Sequence, residues 1–215
     1  ATFKAALVRE VWVLDRASAE AMVRQAERNA PGGTATLRFT PAGVERILGL
    51  TGGHPYFTLL LCREVWERAH AAVGVRTSVP QVDAPDVEAA VPAVLEATDP
   101  AFTWIWGGLS LAEQIYAAGL AGAVDERETL SQERCLQLLA DHAARLCTRE
   151  VELTAPRDLV RRRVLEMTEE QEHSFAVELF RRWVRERRPL HEVKEELDRV
   201  DPLADELYGI GQEFF

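Results

Sequence analysis

Two helical patterns of the chain meet at residues 51–57, which read Thr51-Gly52-Gly53-His54-Pro55-Tyr56-Phe57. Apolar residues recur at helical spacing on both sides of this stretch. They are Val44, Ile47 and Leu48 before it, and Leu59, Leu60, Val65 and Trp66 after it. Glycine ends a helix because it adopts positive φ at low cost, and proline suits the first turn of the next helix, where no N–H is needed. The stretch therefore predicts a corner between two helices.

Length and charge limit the classes of protein. The 215 residues suffice for one large or two small domains, each with its own core. The formal net charge is −10, whereas a protein that binds nucleic acid through its general electrostatic field is expected to be basic. No apolar run reaches the ~20 residues of a membrane span, and no signal-peptide pattern is present, so we expect a cytoplasmic protein. Because the chain begins without Met, we expect it to be an excised fragment.

The reactive side chains form no recognisable catalytic or metal-binding set. The three cysteines, Cys62, Cys135 and Cys147, are far apart and lie in helical patterns, which is typical of reduced, buried thiols. No Cys and His spacing resembles a zinc site. No combination of Ser, His and Asp, or of Cys and His, has the spacing of nucleophilic catalysis. The sequence therefore predicts neither catalytic residues nor a metal.

The first hundred residues predict a mainly helical unit. Residues 8–14 are expected to be extended, a helix should start at Asp15 or Ser18, and residues 37–39 should form a short extended link. Thr40 and Pro41 predict the start of the helix that ends at Gly52, and the next helix should run from Pro55 to about residue 73. Residues 74–83 are expected to form a loop.

A further helix should start at Asp83 and contain a proline. Pro92 is expected to kink or break this helix, and Asp99-Pro100 is expected to mark a boundary. A dense aromatic cluster follows, which contains Phe102, Trp104 and Trp106 together with the aliphatic Ile105, and such density usually fills a core or a domain interface. We expect Trp104 and Trp106 to lie at the seam between two subdomains.

The second half predicts three helices followed by a β-hairpin. Ser110 and Glu113 form a capping box at the first helix, Ser131 caps the second, and the third starts near Ala155-Pro156. Residues 164–167 and 174–177 are expected to be strands around the polar turn 168–172. This order is that of a winged helix, a member of the helix-turn-helix class. Two more helices are expected from residue 179 and over residues 190–197, before a tail without clear period.

Two segments resemble signatures of STAND-type signalling ATPases, which are relatives of the AAA+ and NB-ARC proteins. The segment LTGGHPYFTLLLC, residues 50–62, is similar to the signature of the lid subdomain. The segment SFAVELFRRWV, residues 174–184, is similar to the wing strand and following helix of the winged-helix domain in bacterial members. The resemblance implies three parts: a helical lid-like subdomain over residues 1–100, a winged-helix domain over 101–189, and a C-terminal helix and tail over 190–215.

The resemblance also implies an adenine contact. In this family a Gly-x-Pro element of the lid closes over the base, and the element corresponds to Gly53, His54 and Pro55 here. Glycine permits close approach of the backbone, and a proline ring packs on the flat face of a base. The alternative is that these residues only shape the corner between two helices. His54 either faces the phosphates or hydrogen-bonds a neighbouring backbone group.

The phosphate-binding half of such a site is missing. A Walker A loop reads Gly-x-x-x-x-Gly-Lys-Ser/Thr, and neither Lys4 nor Lys194 follows a glycine run of that kind. A Walker-type acidic strand for Mg²⁺ is also missing. We therefore expect a non-enzymatic regulatory fragment without its own cofactor. ATP or ADP would bind in the parent protein, whose N-terminal nucleotide-binding domain and effector or signalling partner would be the partners.

A DNA-binding winged-helix regulator is the alternative function. The expected recognition helix carries Arg157, Arg161 and Arg162, which could contact nucleic acid or a protein partner. Acidic residues Glu169, Glu170 and Glu172 occupy the expected wing tip, where a DNA-binding protein would carry positive charge. The sequence therefore favours the regulatory module over DNA binding.

Overall fold

The computed structural model describes residues 13–28, 36–71, 79–126 and 128–200. These residues form ten α-helices and five short strands, so the chain is mainly helical, as the sequence predicts. The chain divides into two compact units, residues 1–94 and residues 95–215. No helix among the described residues combines the length and the hydropathy that a bilayer crossing requires. Of the extended segment predicted over residues 8–14, all but the last two residues lie outside the described part.

Local capping signals explain the helices of the first unit, which are α1 (Arg16–Ala26), α2 (Pro41–Thr51) and α3 (Pro55–Ala71). The Asp15 carboxylate accepts the N–H of Ser18 at 2.9 Å and caps α1. The Thr40 hydroxyl accepts the N–H of Gly43 at 3.1 Å and caps α2. These side chains satisfy N–H groups that have no partner inside the helix. The three predicted helices are confirmed.

Two short strands hold the helices of the first unit together. Strands β1 (Arg38–Phe39) and β2 (Gln81–Val82) pair in parallel. The loop predicted over residues 74–83 was therefore wrong at its end, because two of its residues form β2. A two-residue strand has no measurable period, and its partner lies about forty residues earlier, so no local pattern indicates it.

Helix α2 packs tightly on β2. A Cβ atom at Gly43 would lie 2.6 Å from the backbone oxygen of Val82, so only glycine fits there. Apolar side chains from all three helices and β2 fill the core beneath this contact. They include Val23, Val44, Ile47, Leu50, Phe57, Leu61, Val65 and Val82. This packing fixes the position of the corner between α2 and α3.

Helix α4 (Ala84–Gly107) continues through both prolines that were expected to interrupt it. An end of the helix at Asp99-Pro100 and an early break at Pro92 are therefore both wrong, and the domain boundary near residue 100 stays a prediction. Each proline removes one helical hydrogen bond, but Pro92 and Pro100 lie on the exposed side of the helix. The buried residues of α4, among them Val87, Val91 and Phe102, supply the packing that keeps the helix continuous.

Helices of the second unit are α5 (Leu111–Ala123), α6 (Gln132–His142), α7 (Arg149–Leu153), α8 (Ala155–Arg161), α9 (Glu178–Arg187) and α10 (Leu190–Val200). The predicted capping box at α5 is confirmed: the Ser110 hydroxyl accepts the N–H of Glu113, and the Glu113 carboxylate accepts the N–H of Ser110 at 2.7 Å. The predicted cap of α6 at Ser131 is also confirmed. Helix α7, which is only five residues long, was not predicted.

A three-stranded antiparallel sheet completes the second unit. Its strands are β3 (Leu130–Ser131), β4 (Leu165–Met167) and β5 (Glu172–Phe175), in the order β3–β5–β4. The predicted hairpin of two antiparallel strands is confirmed, but β5 begins two residues earlier than expected. The reason is a tight turn, since the N–H of Thr168 donates to the Glu172 oxygen at 2.8 Å and Gln171 adopts a φ of 63°. Strand β3 was not predicted.

Aromatic side chains form the core between α4 and α9. Phe102 and Trp106 are buried, and the rings of Phe180 and Trp183 stack at a centroid distance of 5.8 Å. The indole N–H of Trp183 donates to the Asp99 carboxylate at 2.8 Å. Trp104 lies outside this core, because its side chain is 80 % exposed, and its expected place at a seam between two subdomains stays a prediction. Trp104 points away from the buried face of the same helix.

Candidate functional site

The corner between α2 and α3 is built from two glycines with positive φ. Gly52 has a φ of 56° and ends α2, and Gly53 has a φ of 72°. The N–H of His54 donates to the Thr51 oxygen at 2.9 Å, and the His54 oxygen accepts the N–H of Thr58 at the same distance. The second of these bonds starts α3. The chain thus reverses direction without placing a side chain in a strained conformation.

Gly53 packs against another part of its own chain. Its oxygen accepts the N–H of Leu14 at 3.1 Å. A Cβ atom at Gly53 would lie 3.0 Å from the Leu14 oxygen and 3.5 Å from the Cβ atom of Ala19. The close backbone approach that glycine permits is therefore made, in this structure, by the segment that enters α1.

A buried pair of hydroxyl groups joins the two helices below the corner. The Thr58 hydroxyl donates to the Thr51 hydroxyl oxygen at 3.0 Å, and the Thr51 hydroxyl donates to the backbone oxygen of Ile47 at 2.8 Å. Both threonines are fully buried. Because buried polar groups are costly without partners, this chain of bonds favours one register of α2 on α3.

His54 presents a neutral ring at the corner. Its imidazole is half-buried and lies 4.6 Å from the ring of Phe57, measured between centroids. Burial lowers the pKa of His54, so the ring carries no charge at neutral pH. A neutral imidazole offers a flat surface and a hydrogen-bonding atom, and it does not supply a positive charge for phosphate groups.

Apolar side chains lie exposed beside the corner. Pro55 is half-buried, Tyr56 is 49 % exposed and Leu59 is 54 % exposed. The ring of Tyr56 meets Phe57 edge to face at 5.2 Å. Sequence reasoning named Pro55 but missed Tyr56 and Leu59. A signal was present, because both residues share a helical face with Arg63, whose charged side chain is typical of the solvent side of a helix.

The three candidate arginines lie on α8 and at the residue that follows it. Arg157 is exposed, and Arg161 is exposed at 3.2 Å from the Asp158 carboxylate. Arg162 donates to the backbone oxygen of Gly108 at 2.6 Å and lies 3.4 Å from the buried carboxylate of Glu113. The guanidinium groups of Arg157 and Arg161 therefore face solvent, whereas that of Arg162 contacts other residues of the chain.

Cysteine chemistry is suppressed by burial. Burial raises the pKa of the Cys62 thiol to about 12 and that of the Cys135 thiol to about 12, so neither forms a thiolate at neutral pH. Among the described residues, no three His, Cys, Asp or Glu side chains converge as ligands for a metal ion. These side chains offer no nucleophile and no metal centre in the described part of the chain.

Comparison of the chain with protein-family models, with curated proteins and with solved structures gave no match. The backbone geometry at Gly53–Pro55 is what a junction between two helices requires. The exposed side chains of Tyr56 and Leu59 beside it are not needed for that junction.

Proposed function

We propose that the chain is a non-catalytic regulatory part of a STAND-type ATPase. In this proposal the first unit is the lid, and its corner at Gly53, His54 and Pro55 faces the adenine of a nucleotide held by a separate nucleotide-binding domain. The observation that carries the proposal is the exposure of Tyr56 and Leu59 directly beside Pro55. Exposed aromatic and aliphatic side chains next to a proline ring form a surface suited to a flat, apolar base face.

The proposed contact is made with the base and not with the phosphate groups. The Pro55 ring and the Tyr56 side chain would lie against the base, and the neutral ring of His54 would border it. Stacking of a base on an aromatic side chain contributes ~1–3 kcal/mol, which alone gives only weak affinity. Since the chain lacks a Walker A loop, phosphate binding and hydrolysis belong to the parent protein. Lid and nucleotide-binding domain would complete one pocket together.

We propose that residues 101–189 of the second unit form a winged-helix domain. Support comes from the order of its elements, since α5, β3, α6 and α8 are followed by the hairpin β4–β5, and β3 adds to the hairpin as a third strand. Short strands at one end of a three-helix group are what a winged-helix domain requires. The unit would change its contacts with the nucleotide state: ADP would hold it on the nucleotide domain, and ATP would release it for oligomerisation.

Charge favours a protein partner for the second unit over DNA. Arg157 and Arg161 are exposed, as a DNA-reading helix would need. The turn between β4 and β5 carries the exposed acids Glu169 and Glu170, which would face phosphate groups. Arg162 already contacts Gly108 and Glu113 inside the chain. DNA binding therefore stands as the second candidate function.

An NMR titration tests the adenine contact. Adenosine monophosphate is added to the ¹⁵N-labelled chain, and ribose 5-phosphate serves as the control because it has the phosphate but no base. We expect shifts at Gly53, His54 and Tyr56 with the first compound and none with the second. The Pro55→Ala variant, which keeps the helix start, should show smaller shifts. Equal shifts with both compounds, or shifts only elsewhere, would contradict the proposal.

A further inference from the structure

A groove with basic side chains opens on the second unit. It lies among α5, α6 and the start of α10 and has a volume of about 530 Å³. Small-molecule sites in proteins have volumes of about 300–1,000 Å³. A protein–protein contact would need about 800 Å² from each partner and would extend well beyond the groove. The size of the groove therefore fits a small ligand.

The floor of the groove is open because Gly122 has no side chain. A Cβ atom at Gly122 would meet no atom within 4 Å, whereas one at Gly119 would lie 2.6 Å from the Leu139 Cδ2 atom. Gly119 and Gly122 both lie in α5. The close packing of α5 on α6 explains why residue 119 is glycine, but it does not explain the glycine at residue 122. Glycine weakens a helix relative to alanine. Its effect at residue 122 is to leave space above α5.

Basic groups surround this open floor. They come from α6, α9 and α10 and are Arg134, His142, Arg185 and His191. Arg185 is paired with the exposed carboxylate of Asp125 at 2.9 Å. Arg134 is exposed, and no acid of the described part of the chain forms an ion pair with it. No Asp or Glu is among the described residues that line the groove, although the whole chain has a net charge of −10.

We infer that this groove binds a small organic anion with an apolar body, such as an aromatic or aliphatic acid. The anionic group lies at Arg134, whose planar guanidinium matches a carboxylate or sulfonate with two parallel hydrogen bonds. The apolar body lies over Gly122 and contacts Leu138 and Leu190, which line the groove. This site lies in the second unit, uses none of the corner residues, and does not depend on the proposed adenine contact.

A fluorescence titration tests the inference with the dye 8-anilino-1-naphthalenesulfonate, which joins an apolar body to a sulfonate. The neutral dye N-phenyl-1-naphthylamine has nearly the same body without the charge. We expect saturable binding of the anionic dye. The Gly122→Leu variant fills the groove and should weaken its affinity by about tenfold or more. Its helix remains sound, since leucine is the better helix former, so its Tm should not fall.

Matched variants separate the groove from the rest of the surface. A Cβ atom at Gly107 also meets nothing within 4 Å, so Gly107→Leu is the control for bulk, and it should bind the dye like the unaltered chain. Arg134→Gln should weaken the anionic dye by about fivefold and change the neutral dye by less than about twofold. Arg157→Gln, an exposed arginine outside the groove, is the control for charge and should change neither.

Three results would overturn the inference. They are the lack of saturable binding of the anionic dye, unchanged binding by the Gly122→Leu variant, and equal weakening of both dyes by Arg134→Gln. The adenosine monophosphate titration gives an independent readout. Its shifts at the corner should be the same in the Gly122→Leu variant, so failure at one site is distinguishable from failure at the other.

Discussion

The hydroxyl group of Tyr116 on α5 and the Nδ1 atom of His173 on β5 lie 2.9 Å apart in the core of the second unit. Both side chains are buried, and their rings meet edge to face at an angle of 85°. Burial lowers the pKa of His173 and raises that of Tyr116, so both groups are neutral at neutral pH. This hydrogen bond ties the central strand of the sheet to the first helix of the unit.

Acid should weaken the fold through His173. Its pKa is lower in the folded chain than the ~6.5 of an unfolded histidine, so between these two values the unfolded chain binds more protons. The free energy of unfolding should therefore be highest above pH 7 and should fall as the pH drops below about 6.5. Urea unfolding at pH 7.5 and pH 5.5 measures this change.

Two variants isolate the contribution of His173. His173→Gln should reduce the dependence of the unfolding free energy on pH, by up to about 1.4 kcal/mol per pH unit over the window where one proton is taken up. His142→Gln replaces an exposed histidine of the same unit and is the matched control for the substitution itself. His54, whose pKa is also lowered by burial, contributes in the same direction from the first unit. An unaltered slope in His173→Gln would refute this assignment.

Glycine at residue 53 should be required for stability. Gly53→Ala places a side chain at a φ of 72° and a Cβ atom 3.0 Å from the Leu14 oxygen. The strain should cost about 1–3 kcal/mol of unfolding free energy. Gly107→Ala, in an open helical position, should instead be neutral or stabilising by up to about 1 kcal/mol. Equal stability of the two variants in chemical denaturation would contradict the packing described for the corner.

Local signals let the sequence predict most of the helices. A cap needs only residues within one turn, so Thr40 with Pro41 and Ser110 with Glu113 could be recognised from their spacing alone. The corner at Gly52 and Gly53 was predicted for the same reason, since glycine adopts positive φ at low cost wherever it stands in the sequence. Buried helix faces were predicted from their period.

Features that depend on distant partners could not be predicted. Strand β2 exists because its two residues pair with β1, and β3 exists because its two residues pair with β5. Neither strand has enough residues to show a period. Helix α4 continues through Pro100 because one face of the helix is buried along its length, and no local rule indicates that. At the candidate site, the exposure of Tyr56 and Leu59 follows from the tertiary packing of α3. In the sequence, only the charge of Arg63 indicates that their common helical face lies toward solvent.

A buried ion pair should be costly to break. The guanidinium of Arg181 donates to both carboxylate oxygens of Glu178 at 2.7 Å and to the backbone oxygen of Val124 at 2.9 Å. Arg181→Met leaves the buried Glu178 carboxylate with fewer partners, so we expect a loss of about 3 kcal/mol of unfolding free energy. Arg185→Met removes an exposed pair with Asp125 and should cost less than about 1 kcal/mol.

Equal stability of the Arg181→Met and Arg185→Met variants would contradict this expectation. If both variants unfold at the same urea concentration, the buried network around Glu178 does not stabilise the second unit. A change in the steepness of the transition would instead indicate a different unfolded or native state.

Duplex DNA should not bind the second unit tightly. The exposed acids Glu169 and Glu170 face solvent on the turn beside the sheet, and the chain has a net charge of −10. Fluorescence anisotropy with a labelled duplex at physiological salt should show no saturation below about 100 μM protein, the weak end of non-specific binding under that condition. Binding that falls steeply with salt and is lost in Arg157→Gln with Arg161→Gln would favour the DNA-binding alternative.

The most direct test of the account is a transferred nuclear Overhauser measurement between adenosine monophosphate and the unaltered chain. The account predicts cross-relaxation from the adenine H2 and H8 protons to the ring protons of Pro55 and to the Tyr56 side chain. The ribose protons should show weaker transfer, because the phosphate half of the site is supplied by another domain. Transfer that reaches other side chains but neither Pro55 nor Tyr56, or no transfer at all, would contradict the proposed lid.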